Sequence, residues 1–269
     1  MTKKTKKLGL VLGSGGSRGI SHVGFLQALE ENGIKPYCIA GCSMGSVVGG
    51  LYSKGMTPAE MLSVVERLRP TDIIDLSVGG FQAKSILKTE KMKKLLEKLF
   101  DGVKFKDLKT PFSCNAFDIV KGETVWFNKK ICPDGEVSEA VRASSSIPIV
   151  FQPVETEDGK ILVDGGVRIR MPIEAVKKMG ADVIVGVDVL GKLRKNFKDK
   201  NIIDRSLRII DAVDWAETSR RYENNDYDLL LMPKLGDMSQ YLVKDLKFAY
   251  ERGYRLGIEN IEKIKVLSK

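Results

Sequence analysis

Leu8-Gly9-Leu10-Val11-Leu12 runs directly into Gly13-Ser14-Gly15-Gly16-Ser17-Arg18-Gly19, and the reading of this junction decides the fold. Five mostly apolar residues closed by glycines predict a buried parallel strand. Between residues 19 and 32 the apolar positions Ile20, Val23, Leu26, Ala28 and Leu29 keep a helical period, and Gly33 supplies the stop. The junction therefore reads as strand, glycine loop, helix. Glycines permit φ > 0 and let successive N–H groups aim into one cavity, beside the positive end of a helix dipole. Such a nest binds an anion, either a phosphate or the oxyanion of an acyl-transfer intermediate. A dinucleotide-binding turn fits less well. Counted from Gly13 the third glycine of G-x-G-x-x-G is Arg18, and counted back from Gly19 the first is Ser14. A plain structural turn is the third reading.

Working outward, residues 37–40 form a second short strand candidate, followed by Gly41-Cys42-Ser43-Met44-Gly45 and a helix-like stretch to Tyr52. A dinucleotide fold would place an acid at the end of this strand to hold a ribose, and none is there. Thr57-Pro58-Ala59-Glu60 has the residues of a capping box with proline at the first helical position. Further strands are expected at 111–117, 124–127, 160–163, 182–187 and 229–232. Helices are expected at 90–100, 136–143, 172–179, 202–222 and 243–266. Alternating strands and helices imply an α/β fold with a largely parallel sheet covered on both faces. With no repeat or linker, residues 1–269 read as one domain, carrying a lid-like insertion at about 70–110 with a turn at Gly79-Gly80.

Composition excludes several classes. The 269 residues are 43% hydrophobic and 29% charged, which rules out a disordered chain and a collagen. No apolar run approaches the ~18 residues needed to cross a bilayer. The basic start Lys3-Lys4-Thr5-Lys6-Lys7 with Leu8–Leu12 has too short an apolar part for a signal peptide, so a cytoplasmic location is expected. Cys38, Cys42, Cys114 and Cys132 lack CxxC spacing and read as reduced, buried thiols. The net charge of +9 favours anionic partners. No nucleic-acid motif accompanies it, and aromatics do not interleave the basic runs.

Gly41-Cys42-Ser43-Met44-Gly45 fits G-x-S-x-G between a strand and a helix, where the turn projects a serine hydroxyl above the sheet and glycines avoid collisions. Its alternative is a helix start with Ser43 as N-cap. A nucleophilic serine needs a base. The single histidine, His22, precedes Ser43, so the triad of the α/β-hydrolases, whose histidine follows the serine, is excluded. His22 itself reads as structural or as a contributor near the site. A carboxylate is the leading base, and Asp164 in Val163-Asp164-Gly165-Gly166 stands at the end of an apolar strand. Burial would raise its ordinary pKa of about 3.9 and proximity would let it share a proton with Ser43. An ordinary Asp-Gly turn is the alternative.

These three motifs, in this order, resemble the patatin-like phospholipase family, in its compact bacterial branch related to the catalytic domain of neuropathy target esterase. The resemblance runs over about residues 8–189. It includes Arg142-Ala143-Ser144-Ser145-Ser146-Ile147-Pro148, similar to the family's R-A-S-x-x-I-P stretch, Ala116-Phe117-Asp118 with Gly122-Glu123, and Gly180-Ala181-Asp182. It implies a three-layer α/β/α fold with a mostly parallel central sheet. It also implies a serine acyl hydrolase acting on fatty acyl esters of phospholipids, lysophospholipids or related lipids, with Ser43 as nucleophile and Asp164 as general base. The same resemblance implies an oxyanion hole at Gly15, Gly16 and Ser17, with Arg18 supporting the loop or a headgroup. Its motif glycines fall on Gly13, Gly19, Gly41, Gly45, Gly165 and Gly166. It implies no metal and no cofactor. Three positions depart from the pattern: Ser14 stands for a loop glycine, and Ile149 and Arg170 stand where many relatives have Gly and Asn. These departures bear on substrate shape and headgroup more than on the two catalytic positions.

The partners expected are a lipid or acyl ester substrate and an anionic membrane surface, with no nucleic acid. Lys88, Lys91, Lys93, Lys94 and Lys98 lie on or beside a helix whose other face carries Met92, Leu95, Leu96 and Leu99, a pattern that can rest on anionic membranes. A charged helix face is also ordinary solvated surface. Two other functional readings stay open: a catalytically silent regulator that keeps the fold, and a nucleotide-binding oxidoreductase.

Overall fold

The computed structural model describes residues 5–73, 90–193, 202–224 and 226–269. Strand β1 (Leu8–Leu12) leads through the glycine loop and a 3-10 turn into α1 (Ser21–Glu31), then β2 (Cys38–Gly41), α2 (Met44–Lys54), α3 (Pro58–Arg67) and the short α4 (Pro70–Ile73). After α5 (Glu90–Phe100) come β3 (Phe112–Asp118), β4 (Glu123–Asn128), α6 (Val137–Ser144), β5 (Val154–Glu155) and β6 (Ile161–Asp164). The chain continues with α7 (Ile173–Lys178), β7 (Val183–Val187), α8 (Ile202–Glu223), β8 (Leu229–Leu231) and α9 (Leu246–Leu267).

The sheet runs β5-β6-β3-β2-β1-β7-β8, with β4 paired to β3. It is parallel from β3 to β8 and antiparallel where β4, β5 and β6 join. Alternating strand residues bury on opposite faces, as a period of two requires. Leu8, Leu10, Leu12 and Val185 pack with α1, α2, α5 and α9, whereas Val11, Ala40 and Ile184 pack with α7. Helices therefore cover both faces, which explains why β1, β2 and β7 are buried along their whole length. The capping box of α3 forms as expected: Glu60 N–H donates to Thr57 Oγ1 at 3.2 Å and Thr57 N–H to Glu60 Oε2 at 2.8 Å. Such caps contribute about 1 kcal/mol.

The apolar face of α5 turns inward, with Met92, Leu96 and Phe100 buried, which leaves its lysine-bearing face outward. Strand β5 has only two residues and no sequence signal marked it. The turn at Gly79-Gly80 and Lys88, within the expected insertion, lie outside the described residues. No described helix is long and apolar enough to cross a membrane.

Candidate active site

Ser43 stands between β2 and α2 with φ 52° and ψ −124°, a strained conformation for any residue with a side chain. The surrounding turn over-determines it. Ser43 N–H donates to Ser144 Oγ at 3.0 Å, Gly45 N–H to Cys42 O at 2.8 Å, and Ser46 Oγ to Ser43 O at 2.6 Å. The flanking glycines are required by contact: a Cβ on Gly45 would lie 2.1 Å from Leu12 O, and one on Gly41 2.3 Å from Gly45 O. The hydroxyl is therefore held above the end of β2 by backbone that no larger residue could replace.

Asp164 reaches the same place through the sheet. β4 occupies one edge of β3 from Ser113 to Asp118, which leaves the other edge to two strands in succession. β2 pairs with Phe112, Ser113 and Cys114, and β6 pairs with Ala116, Phe117 and Asp118. Asp164 is opposite Ala116, two positions beyond the Gly41–Cys114 pair, so the end of β6 abuts the turn that carries Ser43. The Asp164 carboxylate accepts hydrogen bonds from Gly166 N–H at 2.7 Å and from Cys42 Sγ at 3.8 Å, and the Ser43 side chain lies close enough to lower its pKa. Asp164 is 4% exposed, and burial lifts its pKa to about 6 against the pull of these three groups.

The glycine loop closes the third side. Gly13 N–H donates to Val187 O and Ser14 N–H to Arg170 O, both at 3.0 Å, while the N–H groups of Gly15 and Gly16 have no partner among the described residues. Gly16 has φ 51°, the left-handed region glycine favours. Ser17 differs from its two neighbours: its N–H donates to Gln240 O at 3.0 Å and is committed to holding that segment. Arg18 is buried and spends its guanidinium on the carbonyls of Val189 at 2.7 Å, Gly236 at 3.2 Å and Met238 at 2.9 Å. It supports the loop and the chain that crosses it. Ser14 is not in a left-handed conformation, so its side chain adds no backbone strain.

His22 is fully buried, with Nε2–H donating to Gly13 O at 2.8 Å. Burial lowers its pKa to about 4, so it is neutral at physiological pH and braces the loop from behind. Gly19 makes room for Met44 of α2, and Gly165 for Asn115 of β3. The four cysteines are free thiols, three of them buried.

Two cavities meet at Ser43 and Gly16. One, of about 220 Å³, runs among α1, α2, α3 and α5 and is walled by Met44, Val48, Leu51, Met61, Val65 and Leu96. The other, of about 40 Å³, lies towards α8 and is lined by Asp164, Arg170, Asp211, Asp214, Gln240 and Tyr241 among others. Arg170 donates to Asp188 and Asp214 at 2.8 Å each, both pairs fully or nearly buried. Burial raises Asp214 to a pKa of about 7, against the attraction of Arg170. No local sequence pattern marks Asp211, Asp214 and Tyr241 as site residues. They come from α8 and the segment after β8, and only the tertiary fold brings them to Ser43. Ile149, beside Ile147 and Pro148 at the mouth, has φ 72° and is 37% exposed. That is the position where the sequence departs from a family glycine.

A hydroxyl beside a buried carboxylate, two N–H groups without a partner among the described residues and an apolar cavity together suit attack on a carbonyl carbon. The sequence matches the family model described as Patatin-like phospholipase over residues 10–177. An NTE family protein of Mycobacterium tuberculosis is 35% identical over 185 residues, covering 69% of this chain and 49% of that protein. Lysophospholipase NTE1 of Debaryomyces hansenii is 33% identical over 190 residues, covering 68% of this chain and 12% of the yeast protein. The chain thus spans about half the length of the first relative and much less of the second. Among solved structures, VipD from Legionella pneumophila superposes with a TM-score of 0.60 at 15% identity, over 97% of this chain and 66% of that one. In fold and in sequence alike, the chain belongs to the patatin-like phospholipase family.

Proposed function

We propose that the protein is a serine acyl hydrolase that cleaves fatty acyl esters of phospholipids, lysophospholipids or related lipids through a Ser43–Asp164 dyad. One observation carries the reading: the Ser43 side chain stands beside a buried carboxylate at the mouth of an apolar cavity. The acyl chain enters that cavity and places its carbonyl carbon at Ser43 Oγ, with the carbonyl oxygen towards Gly15 and Gly16. Oγ attacks as its proton passes to Asp164. The oxyanion of the tetrahedral intermediate is held by the two N–H groups, and donors of this kind are worth about 2.7–4 kcal/mol each. Collapse breaks the bond to the leaving oxygen, which takes the proton from Asp164, and an acyl-Ser43 ester remains. Water then attacks that ester and gives its proton to Asp164. The second intermediate releases the fatty acid, and Ser43 recovers its proton.

The raised pKa of Asp164 supports the assignment, because a carboxylate near pH 6 is a better base than one at its ordinary value. The outward lysines of α5, Lys91, Lys94 and Lys98, support contact of that face with anionic headgroups. Hydrolysis of p-nitrophenyl esters by wild type, Ser43→Ala and Asp164→Asn tests the proposal. Loss of at least about 10³-fold is expected in each variant. Equal rates in all three proteins would leave the catalytically silent reading.

A further inference from the structure

Resting on that hydrolase reading, we infer that Asp211 and Tyr241 are positioning residues: they clasp the segment between β8 and α9 over the glycine loop and so hold the oxyanion donors in place. The need for a clasp follows from the loop itself. The N–H groups of Gly15 and Gly16 have no partner among the described residues, and glycine backbone turns more easily than any other. Their aim must be fixed from outside.

Residues 232–245 supply that hold. The segment crosses the loop with both ends fixed: β8 pairs with β7, and α9 packs so closely on α1 that a Cβ on Gly253 would lie 1.8 Å from Ser21 O. Midway along it, Gln240 O accepts from Ser17 N–H at 3.0 Å. A peptide unit is planar, so this bond fixes the plane shared by Gly16 C=O and Ser17 N–H. The same carbonyl presses on Gly16, where a Cβ would lie 2.1 Å from it. A shift of Gln240 therefore carries the Gly16 peptide with it. Ser17 and Arg18 grip this segment through its carbonyls, at Ser239, Gly236 and Met238. Asp211 grips it from α8, through side chains. Its Oδ1 accepts from Gln240 Nε2–H at 3.1 Å and from Tyr241 O–H at 2.9 Å, so one oxygen gathers two consecutive residues. Gln240 and Tyr241 also line both cavities that meet at Ser43. The clasp lies wholly beyond residue 177, where the match to the family model ends.

The test compares p-nitrophenyl decanoate with its thionoester, which puts sulfur where the carbonyl oxygen was and so reads how well the donors fit an oxygen anion. Wild type is expected to prefer the ester. One oxyanion donor carries about 10²–10³-fold in kcat, and Asp211→Ala should forfeit at least about tenfold on the ester with KM changed less than about threefold. Its ester-to-thionoester ratio should fall at least about fivefold, because sulfur gains less from the same donors. Asp211→Asn keeps an oxygen acceptor and should return both quantities to within about threefold of wild type. Tyr241→Phe keeps the ring and removes one donor, so its ratio should fall between those of wild type and Asp211→Ala. That variant decides the matter alone if Asp211→Ala does not fold. A purely structural Asp211 would lower the active fraction for both substrates alike. An unchanged ratio in Asp211→Ala and Tyr241→Phe therefore overturns the assignment, as does Asp211→Asn impaired as much as Asp211→Ala, or a wild type indifferent to sulfur. Absence of ester hydrolysis by wild type overturns the hydrolase reading and this assignment with it.

Discussion

Ser43 and Asp164 meet because β2 and β6 lie end to end on one edge of β3, which sets the Ser43 side chain beside the carboxylate. Neither strand reaches the site alone. Parallel pairing brings the Ser43 turn to the middle of β3, and antiparallel pairing returns Asp164 to the same point. The proximity of the two side chains is therefore a property of sheet register, and a slip of one residue in β6 would turn the carboxylate to the opposite face.

The proton acceptor must be ionised to act, and burial raises Asp164 to a pKa of about 6. Activity on a p-nitrophenyl ester should accordingly rise tenfold per pH unit below about 6 and level off above it. A profile flat from pH 4.5 to 8 would remove Asp164 from the role of base. Neutral His22, with a pKa near 4, adds no second limb in that range.

The same burial has a stability consequence of definite sign. The folded-state pKa of Asp164 lies above the unfolded value, so the folded protein holds its proton more tightly. Stability from this group is fully present below about pH 4 and is lost as pH rises to about 6. At neutral pH the ionised carboxylate then costs on the order of 3 kcal/mol. Asp164→Asn, which keeps an acceptor for Gly166 N–H, should therefore be inactive yet more stable than wild type at pH 7. Urea unfolding at pH 7 checks this, and a midpoint below that of wild type would contradict it.

The cavity sets a chain-length optimum. A 150 Å³ cavity accommodates benzene, so about 220 Å³ accommodates an acyl chain of roughly nine carbons. Turnover of p-nitrophenyl esters should climb with length to about that point. Val65→Trp narrows the cavity between α3 and α5, and each displaced methylene forfeits about 0.8 kcal/mol. Its preference for decanoate over butyrate should fall about tenfold, whereas an unchanged preference would place the acyl chain elsewhere.

Ile149 occupies a left-handed conformation that costs a residue with a Cβ about 1–2 kcal/mol. The usual ranking of alanine above glycine should reverse there. Ile149→Gly is expected to be more stable than Ile149→Ala by about 1 kcal/mol in thermal or urea unfolding. The opposite order would show that the left-handed backbone is not retained.

What could be read in advance was local chemistry. Thr57, Pro58 and Glu60 announce a helix start within four residues, and all three perform their expected parts. Gly41-Cys42-Ser43-Met44-Gly45 and Val163-Asp164-Gly165-Gly166 mark tight turns after strands, because only small residues fit such close backbone approaches. The rest depends on distant chain. Ser17 looks like an oxyanion donor until Gln240 takes its N–H. Helix α5 shows its amphipathic pattern in sequence, but which elements cover Met92 and Leu96 is set by distant chain. Asp211 and Asp214 lie on a helix of weak apolar pattern, and only the position of Arg170 makes them part of a chamber. β5 is too short to show a period at all.

Covalent trapping tests the dyad most directly. Wild type, Ser43→Ala and Asp164→Asn are each treated with a fluorophosphonate, and the modified peptide is located by mass spectrometry over time. The account predicts one adduct on Ser43 in wild type, none in Ser43→Ala, and labelling slowed by at least about 10²-fold in Asp164→Asn. An adduct on a different residue, or Ser43 labelled as fast without Asp164 as with it, would contradict the account.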